Sequence, residues 1–125
     1  MALPRAARLR TPAQFQAAAR DTGVRRHAQG WLAMTVRPVP GETTTRVGIT
    51  VAKRFARRAV DRACVKRVLR EAARAALPAL SCEWHIVLRL NAVLPDVAAL
   101  PRAQFKRALR RDADALLARL RPAAH

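Results

Sequence analysis

Between Arg46 and Ala76 the apolar residues change their repeat, and this change limits the fold more than any other feature of the chain. "RVGITVAK" (46–53) reads as a strand. From Ala59 to Ala76 the spacing becomes helical: Val65, Val68, Leu69, Ala72 and Ala76 gather on one side of a helical wheel. A strand followed closely by a one-sided helix has to lay that side against a sheet, so the chain needs two layers. The other side of the helix is basic. Arg62, Lys66, Arg70 and Arg74 step along it four residues apart, with Arg67 nearby.

The flanking segments fit the same plan. "TPAQFQAAAR" opens a helix with Thr11 as N-cap, Pro12 at the first helical position and Gln14 completing a capping box; Phe15 is its one large apolar side chain. Gly23 ends that element. "WLAMTVRP" (31–38) reads as a second strand, and the Pro/Gly/Thr-rich "PVPGETTT" between it and 46–53 predicts an antiparallel hairpin. "LPAL" breaks the basic helix, "EWHIVLRL" reads as a buried strand, and residues 101–120 form a last amphipathic helix. The order is helix, two or more strands, helix, strand, helix. At 125 residues, with neither repeat nor linker, this predicts a single α/β domain over 1–125.

Charge narrows the function. The chain has 25 Lys and Arg against 8 Asp and Glu, a net +17 that attracts polyanions from a distance. Lys53, Lys66 and Lys106 are the only lysines; the other basic residues are arginines, whose planar forks suit phosphate and stack on bases. A G+C-rich genome also favours arginine, but it does not explain the clustering. Cys64 and Cys82 lack CxxC spacing and predict free thiols in a reducing cytoplasm. No apolar run approaches the ~20 residues of a membrane span, and "MALPRAARLR" lacks the apolar centre of a secretory signal.

No constellation of side chains suggests that the protein performs catalysis itself. His27, His85 and His125 are scattered, and His85 lies on the buried-looking strand, where a structural role is expected. Asp112 and Asp114, two apart on a helix, face different ways. Neither a phosphate-binding loop nor metal-ligand spacing is present. The segment 53–74 is different. It holds Lys53, Arg54, Arg57, Arg58, Arg62, Lys66, Arg67, Arg70 and Arg74 against Asp61 and Glu71. A solvated helix face normally mixes both signs, and like charges four apart repel by a few tenths of a kcal/mol per pair. A one-sign stripe is therefore expected to meet an anion, and these residues predict nucleic-acid binding.

The order of these elements resembles the protein component of bacterial ribonuclease P over nearly the whole chain. "LRTPAQFQ" is similar to that family's opening helix with its Phe, and "RVGITVAKR" to its central strand and basic turn. "RACVKRVLRE" occupies the place of its signature helix. The match departs at Ala63 and Cys64, where the family usually has Asn and Arg. It departs again at Ala19 and Met34, positions that are commonly aromatic. On the wheel Ala63 lies within the basic face and Cys64 near its edge. The resemblance implies an α/β (α+β) two-layer sandwich, helix–three strands–helix–strand–helix, with a left-handed βαβ crossover. It implies a cytoplasmic subunit of a ribonucleoprotein whose RNA subunit performs the Mg²⁺-dependent hydrolysis that removes the 5′ leader of precursor tRNA. Lys53, Arg54, Arg57, Arg58, Arg62, Lys66, Arg67 and Arg70 would then bind the ribonuclease P RNA. Phe15 and Met34 would floor a cleft for the single-stranded leader, with stacking worth roughly 1–3 kcal/mol per base.

Three rivals remain on the residues alone. A basic ribosomal protein has similar size and charge, but more often carries its charge on extensions. A DNA-binding protein would insert the basic helix in a major groove. A self-sufficient protein nuclease would need acidic metal ligands, and the residue pattern offers none.

Overall fold

Strand order in this protein follows how completely each strand is covered. The computed structural model describes residues 7–9, 24–39, 45–80, 84–94 and 102–120. The helix expected from Thr11, with Phe15 and Ala19, lies outside those residues, as does Cys82. The described elements are β1 (Arg25–Gln29), β2 (Leu32–Pro38), β3 (Arg46–Thr50), α1 (Ala59–Ala76), β4 (Trp84–Leu90) and α2 (Arg102–Ala118), with a single 3₁₀ turn at Leu77–Ala79 after α1. The strands form one mixed sheet in the order β1-β2-β4-β3. β2 is antiparallel to both β1 and β4, and β3 is parallel to β4.

The hairpin expected between 31–38 and 46–53 does not form, because β4 lies between those strands. Ile86, Val87 and Leu88 are buried in succession, so both faces of β4 are covered. A strand covered on both faces belongs at a sheet's centre. The hairpin partner of β2 is instead β1, whose "RRHAQ" has no apolar alternation and takes an exposed edge. Arg25 and Arg26 there are exposed charges of the kind that discourage edge-to-edge association. At the other edge, residues 7–9 run beside β3, with the Leu9 N–H donating to the Val47 carbonyl at 3.2 Å.

Both helices pack on one face of the sheet. Leu32, Met34 and Val36 of β2, Val47 of β3, and Ile86, Leu88 and Leu90 of β4 meet Val65, Leu69 and Ala72 of α1 and Phe105, Leu109, Leu116 and Leu117 of α2. Met34 is fully buried here (0% exposed), which corrects the expectation that it floors a leader cleft. Side chains alternate along a strand, so Met34 shares the helix-facing side with Leu32 and Val36. Cys64, expected near the edge of the basic face, also belongs to this core.

The β1–β2 turn is locked onto α2. Gly30 has φ +56, and a Cβ built there would collide with the Asp112 carboxylate. That carboxylate accepts the Trp31 N–H at 3.3 Å, the Trp31 ring stands 5.2 Å from that of Phe105, and Arg119 donates to the Gln29 Oε1 at 3.0 Å. Gly30→Ala is expected to destabilise the protein by about 2–3 kcal/mol, combining the left-handed backbone penalty with loss of the Trp31 bond as Asp112 is displaced. In an Asp112→Ala background only the backbone part should remain, about 1–2 kcal/mol. A urea-denaturation double-mutant cycle checks this, and strictly additive costs would refute the coupling.

Candidate nucleic-acid interface

Residues 51–58 connect β3 to α1 and are held rigidly although they are strongly basic. Phe55 and Ala56 N–H groups both donate to the Ala52 carbonyl, at 3.1 and 3.2 Å, forming a tight turn. Phe55 and Ala56 point inward to the core, and the Phe55 carbonyl accepts the Leu94 N–H at 2.9 Å. Lys53, Arg54, Arg57 and Arg58 are left exposed on the outside. The Arg54 guanidinium lies 4.6 Å over the Phe55 ring, which holds it flat against the surface.

The start of α1 is anchored by a carboxylate. Asp61, in the first turn and nearly buried, favours the helix N-terminus by its charge. It pairs with Arg58 at 3.5 Å and with Arg102 at the start of α2 at 3.3 Å. The two helices are thus tied together at one end. Arg62 has a related task. Its Nη1 donates to the carbonyls of Ala56 (3.0 Å) and Arg57 (2.7 Å), clamping the turn to the helix. Part of the guanidinium expected to meet RNA is therefore engaged in organising the basic turn. The residue pattern could not show this, since it depends on how the chain bends back.

Further along α1 the basic face becomes a shallow concavity of about 700 Å³, lined by Ala59, Arg62, Ala63, Lys66, Arg67, Arg70 and Glu71. Its floor is low because Ala59 and Ala63 are short and both exposed between long cationic side chains. An approaching backbone can come closer to the helix there than an Asn would allow. All eight residues expected to bind RNA lie on this turn and helix face. Lys53, Arg54, Arg57, Arg58, Arg67 and Arg70 are exposed, and Arg62 and Lys66 are half-buried.

The opposite face of the sheet holds residues that sequence reasoning missed. Thr35 and Arg89 face away from the helices, and Arg89 donates to the Thr35 hydroxyl at 3.2 Å. Arg26 and Thr50 are exposed on the same side. Counting two residues at a time from the core positions of each strand would have found them.

The described aspartates do not fit a magnesium site. Asp61 is paired with two arginines, Asp112 accepts the Trp31 amide, and Asp114 pairs with Arg110 at 2.9 Å. Among the described residues no three His, Cys, Asp or Glu side chains are grouped to hold a metal ion, and no helix is long and apolar enough to cross a membrane.

Comparison with known proteins agrees over most of the chain. The family model described as Ribonuclease P matches residues 3–121. A ribonuclease P protein component of Bordetella avium is 38% identical over 121 residues, covering 94% of both chains. One from Xanthomonas campestris is 38% identical over 108 residues, 86% of this chain and 70% of its own. Among solved structures, the Staphylococcus aureus RNase P protein superposes with a TM-score of 0.68 at 19% identity, over 93% of this chain and 98% of its own. The Thermotoga maritima protein, solved with 1-(4-fluorophenyl)-2-thiourea, gives 0.66 at 21% identity, over 94% and 100%.

Proposed function

The chain belongs to the ribonuclease P protein component family, the protein subunit of the endoribonuclease that matures tRNA 5′ ends, and on that premise we propose how its surfaces divide the work. The basic turn and α1 dock on the ribonuclease P RNA. Lys53, Arg54, Arg57, Arg58, Lys66, Arg67 and Arg70 supply charge to phosphates, and Arg62 holds the turn in register while offering its remaining donors. The observation that carries this reading is a predominantly cationic surface on a rigid scaffold, with short alanines between the cations and Glu71 as the acid in its lining. Like charges held together in this way lower stability unless an anion lies against them.

The 5′ leader of precursor tRNA is assigned to the sheet face that carries Thr35 and Arg89, with Phe15 as a stacking partner. Met34, being core, has no part in it. Mg²⁺ is assigned to the RNA subunit, because Asp61, Asp112 and Asp114 are committed to arginines and a backbone amide. The β3–α1–β4 connection takes the family's left-handed course.

Reconstitution tests the assignment. Added to a bacterial ribonuclease P RNA at low Mg²⁺, the purified chain should raise the rate of precursor-tRNA cleavage well above that of the RNA alone. Tight binding to duplex DNA with no stimulation of cleavage would instead favour a major-groove reader.

A further inference from the structure

The geometry points to a second docking surface for the phosphodiester backbone of the ribonuclease P RNA, in the groove between α1 and α2, with Arg67 on one wall and Lys106, Arg107 and Arg110 on the other. This inference rests on the docking role proposed for α1 and extends it to a helix that role does not include.

The groove encloses about 370 Å³ and is lined by Cys64, Arg67, Val68, Glu71, Lys106, Arg107 and Arg110. Its floor is apolar, made by the half-buried Val68 and the nearly buried Cys64. Its rim is cationic, with Arg67, Lys106 and Arg107 exposed. Arg110 is partly neutralised by Asp114, one turn further along α2. Four cations from two distant stretches of sequence thus converge across one gap that contains a single lining acid, Glu71. Such convergence is unfavourable in the free protein and becomes favourable when a polyanion enters.

Two observations select RNA as the occupant. Arg67 and Glu71 line both this groove and the concavity on the outer face of α1, so the two surfaces are continuous. A backbone following the first is led into the second past the exposed cation Arg67, with Glu71 as the acid at the junction. At about 370 Å³ the groove is also small for a peptide helix, which is about 10–12 Å across with its side chains. It suits a single backbone strand, with a sugar over Val68 and phosphates at the rim. Tight packing of α1 on α2, fixed by the Asp61–Arg102 pair, keeps the walls at constant separation.

The test uses the full chain and the isolated RNA subunit, with no precursor present. Lys106→Ala combined with Arg107→Ala is compared with Lys66→Ala combined with Arg70→Ala, and affinity is measured across a salt series. The groove variant should lose at least about tenfold in affinity and should flatten the log–log salt slope by about 1.4–1.8, the share of two phosphate contacts. A charge-conserving Lys106→Arg, Arg107→Lys variant should keep the wild-type slope, which separates electrostatics from damage to the fold. If the Lys66/Arg70 variant weakens binding while the Lys106/Arg107 variant matches wild type, the groove is not a docking surface. Normal RNA-subunit affinity with loss only of precursor capture would overturn the proposal by moving the contact to the substrate. If neither variant weakens binding, the docking role of α1 fails along with it.

Discussion

Replacing Lys66 and Arg70 together by alanine is expected to weaken binding to the ribonuclease P RNA by about 10²–10⁴-fold. Each charge-assisted contact contributes roughly 1.5–3 kcal/mol when its partner phosphate is held in place. Both residues line the concavity on the outer face of α1, beyond the low floor set by Ala59 and Ala63. Asp61 and Asp114 are paired with Arg58, Arg102 and Arg110 rather than with either residue. The melting temperature should therefore stay constant or rise slightly, as relief of like-charge repulsion contributes a few tenths of a kcal/mol. Wild-type binding should itself be steep in salt, with a log–log slope near −0.7 to −0.9 per phosphate contact. A wild-type slope shallower than about −2 would mean fewer than about three phosphate contacts, too few for a docking face of this extent. A double variant that lost affinity only in proportion to a lower melting temperature would point to folding instead.

Met34→Ala should behave in the opposite way. The side chain is wholly enclosed between Leu32, Val36 and the two helices, so truncation leaves a cavity and costs about 2–5 kcal/mol. For a chain of this length that lowers the melting temperature by roughly 10–20 °C. At a temperature where the variant is folded, the ratio of affinities for long-leader precursor and mature tRNA should match wild type. A selective loss for the precursor, with stability intact, would restore Met34 to the leader surface and contradict its burial.

These three residues also show what could be read before the structure. The span of α1, Ala59–Ala76, follows from periodicity: an apolar side and a basic side, ended where Pro78 cannot continue the helix. Its cations were legible because charge clustering needs no tertiary information. Met34 was legible too, had its parity with Leu32 and Val36 been weighed above the family's habit of placing an aromatic there. The pairing of β2 with β4 was harder to see. Neighbouring strands in sequence usually pair, and only the unbroken burial of Ile86, Val87 and Leu88 marks β4 as the strand that intervenes. The clamp by Arg62 and the groove against α2 were not legible, because each joins atoms whose proximity is created by the fold. Lys106, Arg107 and Arg110 read as the ordinary polar side of an amphipathic helix until α1 lies beside them.

The central place of β4 has a consequence for how the protein is made. When a ribosome has delivered the chain as far as the end of α1, the strands available are a two-stranded hairpin and a β3 whose partner strand β4 is missing, with only residues 7–9 to run beside it. Such a hairpin is at best marginally stable in water. The apolar side of α1 has little to rest on at that stage, although all of its cations are already present. Only when residues 84–90 emerge can both halves of the sheet close around them, through contacts that span long stretches of chain and form slowly. An RNA that meets the nascent protein early meets its charge before its shape. Correct assembly therefore depends on the last strand arriving before a loose electrostatic complex has settled into the wrong place.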